Sequence, residues 1–129
     1  MNQHKRVWIY CRAARPDTMA LESQKQRLLD SAREQGFEVA GITTEMTADL
    51  SIKRQGMSEV FSAAQERRMD TLFVINPSRI TRAASEFLDC VQNLSEQGIE
   101  VLALDTGVVG LPEANFYAKV AKVAESMTD

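Results

Sequence analysis

A chain of 129 residues with 44% hydrophobic and 26% charged residues is sized for one domain around one core. It holds no apolar run near the roughly 20 residues that cross a bilayer, and "MNQHKR" lacks a signal-peptide apolar stretch, so a cytoplasmic, non-membrane protein is expected. A net charge of −3 argues against nucleic-acid binding over the whole surface, and a single histidine (His4) with two separated cysteines argues against a His-based triad or a metal centre; no cofactor is expected.

The first predicted element is the strand "RVWIYC", which runs straight into "RAARPDT". Strand alternation puts Tyr10 and Arg12 on one side and Cys11 on the other. In "MALESQKQRLLDSAREQG" the residues Leu21, Leu28, Leu29 and Ala32 form one helical stripe, and Gly36 supplies the stop. A second strand, "EVAGIT", leads into "TEMTADLSIKRQG", the longest irregular stretch and hence a candidate functional loop. The helical period returns in "GMSEVFSAAQERRM", on Met57, Val60, Phe61 and Ala64. A third strand, "TLFVIN", precedes another helix, "AASEFLDCVQNLSEQG", with Phe87, Leu88, Val91 and Leu94 on one face and Gly98 as its stop. A fourth strand, "EVLALD", comes next. The last amphipathic segment starts at Pro112, a good first-turn residue, with Phe116, Val120, Val123 and Met127 on a stripe.

Strands alternating with helices predict a three-layer α/β fold, a mostly parallel sheet of about four strands with helices on both faces. Each short apolar strand is expected to be buried on both faces. Val7, Ile9, Phe73, Val74, Val101 and Leu102 are the expected core of the sheet, and Cys11 and Cys90 are expected buried and reduced. Ligands of open α/β sheets gather at the carboxyl ends of strands. Here those ends carry arginine: Arg12 and Arg15, then Lys53 and Arg54, then Arg79 and Arg82. "CRAARPDT" has no glycine, which removes both the dinucleotide fingerprint and the Walker A loop. The planar guanidinium fork suits phosphate oxygens instead.

These stretches together resemble the catalytic domain of the serine recombinases, the resolvase/invertase family. "VWIYCRAA" is similar to its opening tyrosine-x-arginine-x-serine, and "LESQKQRL" to its first helix, with Leu21, Glu22 and Gln24 in register. "IKRQGM" resembles the stretch bearing its second active-site arginine, here Arg54, with Glu45 nine residues earlier where an aspartate is usual. "NPSRITR" resembles its aspartate-arginine-x-x-arginine signature, giving Arg79 and Arg82. In that family a serine hydroxyl attacks a DNA phosphodiester without metal or cofactor, and arginines stabilise the phosphate charge. In this chain Ala14 holds the position of the attacking serine and Ser78 that of the aspartate. Neither Cys11, on the opposite face, nor Thr18 or Ser78 is expected to replace the nucleophile, because covalent attack needs near-contact geometry.

The resemblance implies phosphate or DNA binding at Arg12, Arg54, Arg79 and Arg82, converging on one pocket, with Tyr10, Gln24 and Glu45 in support. It also implies that residues 1–129 form one catalytic-type domain, with 112–128 a dimer-contact helix and no separate DNA-binding domain. The expected function is that of a catalytically inactive recombinase-like domain, acting as a homodimer or as a heteromer with an active recombinase. DNA binding by this chain alone is expected to be weak. The alternative is an active site-specific recombinase that cleaves and exchanges DNA strands.

Overall fold

The computed structural model describes residues 5–14, 18–48, 54–80 and 84–109, the side chains of Ser78 and Ala84 apart. In chain order these are β1 (Arg6–Ala13), α1 (Thr18–Gln35), β2 (Glu38–Met46), α2 (Gln55–Gln65), β3 (Thr71–Val74), a 3-10 turn (Pro77–Arg79), α3 (Ala84–Glu96), β4 (Glu100–Ala103) and β5 (Gly107–Val109). The strands form one sheet in the order β2-β1-β3-β4-β5. Its first four strands are parallel, and β5 pairs antiparallel with β4.

Alternation along β1 sorts the core into two halves. Val7, Ile9, Cys11 and Ala13 face α1 and pack with Leu21, Leu28, Ala32, Phe73 and Ile75. Trp8 and Tyr10 face the other way, toward Met57 and Val60 of α2 and Phe87, Val91 and Leu94 of α3. The result is three layers, as the alternation of elements predicts. Phe73 is fully buried and meets Phe37 edge-on, with ring centroids 5.9 Å apart; burying a side chain of that size stabilises by about 2–3 kcal/mol. Helices α1 and α3 both stop at a glycine with positive φ, Gly36 at 75° and Gly98 at 79°. The next amide then reaches back, Phe37 to the Ala32 carbonyl (2.9 Å) and Ile99 to that of Leu94 (2.8 Å), turning the chain directly into a strand.

The mostly parallel sheet of about four strands is present with a short fifth strand added, Gly107–Val109, which returns beside β4 after a turn at Gly107, whose φ is 88°; two other expectations need correction. Three residues carry too little pattern to stand out as a strand. Strand β2 is not buried on both faces. It lies at the sheet edge, runs on to Met46, and leaves Val39, Ile42 and Met46 between 36% and 49% exposed, because α1 only partly covers it. Leu102 is half-buried rather than core, since it sits on the α1 face two strands away from β1. Val7, Ile9, Phe73, Val74 and Val101 are buried as expected. Cys11 and Cys90 are buried free thiols. The segment 112–128 lies outside the described residues. Among the described residues no helix is long and apolar enough to cross a membrane.

Trp8 explains one glycine. Its indole lies over Gly41, its register partner, while its Nε1 donates to Thr43 Oγ1 (2.9 Å) and the Arg68 guanidinium stacks 5.0 Å from the ring. A Cβ at position 41 would enter the ring. Gly41→Ala should therefore lower stability by about 1–3 kcal/mol, the range for overpacking, read as a drop in the urea midpoint.

Burial also sets an alkaline limit. It pushes the Cys11 thiol up to about 11 and the Cys90 thiol up to about 12, both from 9.0. A group whose folded pKa is raised stabilises fully below its unfolded value and loses that contribution as pH climbs toward the folded one. Melting temperature should thus fall as pH rises from about 9 to about 11, and less steeply in a Cys11→Ala, Cys90→Ala variant.

Candidate anion site at the strand ends

The carboxyl end of β1 carries Tyr10 and Arg12 toward the α2 and α3 side, and the short turn after β3 brings Arg79 beside them. Arg12 is only 3% exposed, although it is charged. Its Nε donates to the Arg79 carbonyl (3.2 Å) and its Nη1 to that of Thr47 (3.2 Å). Arg79 answers in kind, its Nη1 donating to the Arg12 carbonyl at 3.2 Å. Each arginine thus holds the other's main chain. Gln24, buried on α1, brackets the same peptide: its Nε2 donates to the Arg12 carbonyl (2.9 Å), and its Oε1 accepts from the Arg12 amide (3.4 Å).

Arg54 closes the cluster from the start of α2. Its side chain is 2% exposed, and its Nε pairs with Glu45 Oε2 at 3.1 Å. Its Nη2 donates to the Tyr10 hydroxyl (2.7 Å), the Ile80 carbonyl (2.6 Å) and, more weakly, the Arg79 carbonyl (3.3 Å). The Tyr10 hydroxyl in turn donates to Glu45 Oε2. Burial, and next the bond to Glu45, raise the Tyr10 pKa far above its usual 10, so the phenol stays protonated and keeps donating. Glu45 Oε1 accepts from the Gly56 amide (3.2 Å). Arg54, the residue preceding α2, makes no side-chain cap of its own, so a carboxylate from β2 serves the first turn of α2.

Three of the four expected arginines therefore meet, and Tyr10, Gln24 and Glu45 each touch one of them. Arg82, Arg15 and Lys53 lie outside the described residues. Ala14 is exposed just beyond β1, and Thr18 opens α1, also exposed. Ser78 lies within the 3-10 turn, its side chain outside the described residues. What the sequence did not disclose is the role of main-chain carbonyls as acceptors, because residue type says nothing about a carbonyl's direction. The glycine in "RQG" was a readable signal for close approach: a Cβ on Gly56 would strike the Glu45 carboxylate.

Chemically, the described part of the cluster gathers three guanidinium groups and one carboxylate, which pairs with Arg54; among the described residues positive charge exceeds negative, a balance that favours an anion. Arg79 Nε is buried with no acceptor among the described residues. A buried donor left unpaired costs about 1–3 kcal/mol, and an anion's oxygen could supply the missing partner. Among the described residues no group of His, Cys, Asp and Glu is arranged to hold a metal ion.

Tyr10→Phe removes a donor to Glu45 and an acceptor from Arg54. Loss of about 1–3 kcal/mol is expected, measured by urea unfolding. Gly56→Ala should give a loss of similar size by displacing the carboxylate, whose atoms are the nearest to the new Cβ.

The family model for the resolvase N-terminal domain matches residues 7–127. Among solved structures, the N-terminal catalytic domain of TP901-1 integrase superposes with a TM-score of 0.76 at 18% identity, over 96% of both chains. A resolvase family site-specific recombinase from Streptococcus pneumoniae gives 0.77 at 17% identity, over 96% of this chain and 90% of that one. A serine recombinase from Sulfolobus solfataricus gives 0.65 at 20% identity, over 79% and 69%. No curated protein sequence matches the chain. At such identities the structures establish the shared fold, and the family model covers nearly the whole sequence: the chain belongs to the resolvase N-terminal domain family, with the fold of the serine recombinases.

Proposed function

We propose that this chain is a catalytically silent serine-recombinase domain that binds phosphate through its arginines and works by self-association or by pairing with an active recombinase. One observation carries the reading. Ala14 offers a methyl group at the carboxyl end of β1, two residues beyond Arg12, where the family's chemistry needs a hydroxyl. A methyl group cannot form a phosphoester, so the first covalent step has no attacking atom. The stabilising half of such a site does not depend on that atom. Preorganised cations hold a phosphate whether or not anything attacks it.

The anion falls chiefly to Arg79, half-buried and with Nε unpaired, while Arg12 lies beside it and supplies positive potential. Arg82, three residues along from Arg79, is proposed to join it. The overall acidity of the chain, with pI near 5.2, keeps any DNA affinity local and salt-sensitive. Pairing is proposed through residues 112–128, whose stripe of Phe116, Val120, Val123 and Met127 needs an apolar partner.

The protein should form no covalent adduct with supercoiled DNA carrying candidate crossover sites when the mixture is quenched in denaturant. A DNA-linked protein band would overturn the silent reading, and mapping it would identify the attacking residue. Ala14→Ser alone is expected to stay inactive, since a serine without a carboxylate at position 78 regains only the attacking group. Sedimentation should show a species heavier than one chain. A monomer at high concentration would remove self-association and leave pairing with a relative.

A further inference from the structure

We infer that Glu45 is a positioning residue for Arg79, acting through Arg54, and that Arg54 itself makes no anion contact. The part concerning anions rests on the phosphate-binding reading above.

Arg54 is committed elsewhere. Its Nε and Nη2 reach a carboxylate on β2, a phenol on β1 and two carbonyls of the turn after β3. The side chain is 2% exposed, and turning Nε or Nη2 to an anion would mean leaving these acceptors. A resemblance to the family places this arginine among the phosphate ligands; here its Nε and Nη2 are both spent inside the protein.

Glu45 sets the direction of that fork. One carboxylate accepts from Tyr10, from Arg54 Nε and from the Gly56 amide, so it ties β2 to β1 and to the start of α2 at once. A guanidinium is planar and rigid, and fixing Nε fixes where Nη2 points. It points at the carbonyls of Arg79 and Ile80. Through those carbonyls the turn is held, and with it the Arg79 side chain, whose Nε is the unpaired donor. The chain of cause therefore runs from Glu45 to Arg54, to the turn, to the anion contact. A lysine at position 54 would carry the charge without the fork, and an aspartate at position 45 would fall one methylene short of serving all three donors.

The test uses the whole chain with arginine side chains labelled for NMR, so that the Nε–H resonances of Arg54 and Arg79 are read separately. Without phosphate, Glu45→Gln is expected to shift the Arg79 Nε–H resonance, although residue 45 does not touch Arg79. With inorganic phosphate added to the unaltered protein, Arg79 Nε–H should move while Arg54 Nε–H stays. Phosphate binding should weaken about tenfold in Glu45→Gln, the worth of one charge-assisted hydrogen bond. Glu45→Asp, which keeps the charge, should shift Arg79 in the same direction, with unchanged circular dichroism separating displacement from unfolding. An Arg79 resonance unmoved by both substitutions would overturn the positioning role. An Arg54 resonance that follows phosphate as closely as Arg79 would overturn its exclusion as a ligand. If phosphate moves neither resonance, the anion-binding reading fails, while the two Glu45 variants still decide the positioning role.

Discussion

The site depends on a reciprocal exchange between two arginines. Arg12 donates from its side chain to the Arg79 carbonyl, and Arg79 donates from its own to the Arg12 carbonyl. A parallel sheet pairs β1 with β3 only through Val7, Trp8 and Ile9, so the ladder gives no hydrogen bonds between these strands beyond that point. Past it the strand ends must be joined by side chains or splay apart. Arginine is suited to this work because its donors are several, fixed in a plane and always charged. Gln24 adds the α1 side of the joint, and Arg54 adds the α2 side.

Burying that much charge is costly unless every donor finds an acceptor. The structure meets the condition mostly with main-chain carbonyls, which are abundant where strands end and ladders stop. Arg54 has a carboxylate as well, and that carboxylate is shared with a phenol and an amide. The one exception among these donors is Arg79 Nε. Among the described residues, a buried donor without an acceptor beside a surplus of positive charge is the feature that separates this cluster from a purely structural brace.

Much of the fold was legible in the sequence because two periods alternate cleanly along it. "RVWIYC" and "TLFVIN" became central strands since both of their faces are covered, and the glycine stops at Gly36 and Gly98 fell where positive φ requires them. "EVAGIT" has the same composition and became an edge strand, because strand order is decided by tertiary packing and not by the apolar content of one segment. The three residues of β5 were illegible for want of length. In the site, Arg12, Arg54 and Arg79 were legible as a group from their places at strand ends, and Tyr10, Gln24 and Glu45 from the resemblance. Their partition was not. Whether an arginine faces a ligand or a carbonyl depends on where neighbouring main chain points, and that is set by elements distant in sequence, such as Thr47 for Arg12 and Ile80 for Arg54.

That partition changes what the arginines mean. Four arginines in family register read at first as a retained catalytic apparatus, at odds with the alanine beside them. Arg12 and Arg54 have a second employment, holding β1, β2, α2 and the turn after β3 in one piece. Removing Arg12 would take a donor from the Thr47 and Arg79 carbonyls. Removing Arg54 would take one from the Ile80 carbonyl and strip the half-buried Glu45 carboxylate of its countercharge. The cost is about 1–3 kcal/mol for each donor lost and more for the broken ion pair. A chain that works without cleavage, as proposed, would still need them to fold. Their presence is therefore explained without cleavage chemistry, and the tension with Ala14 disappears. Arg79, whose Nε has no such employment, is the residue from which a function in binding can still be read.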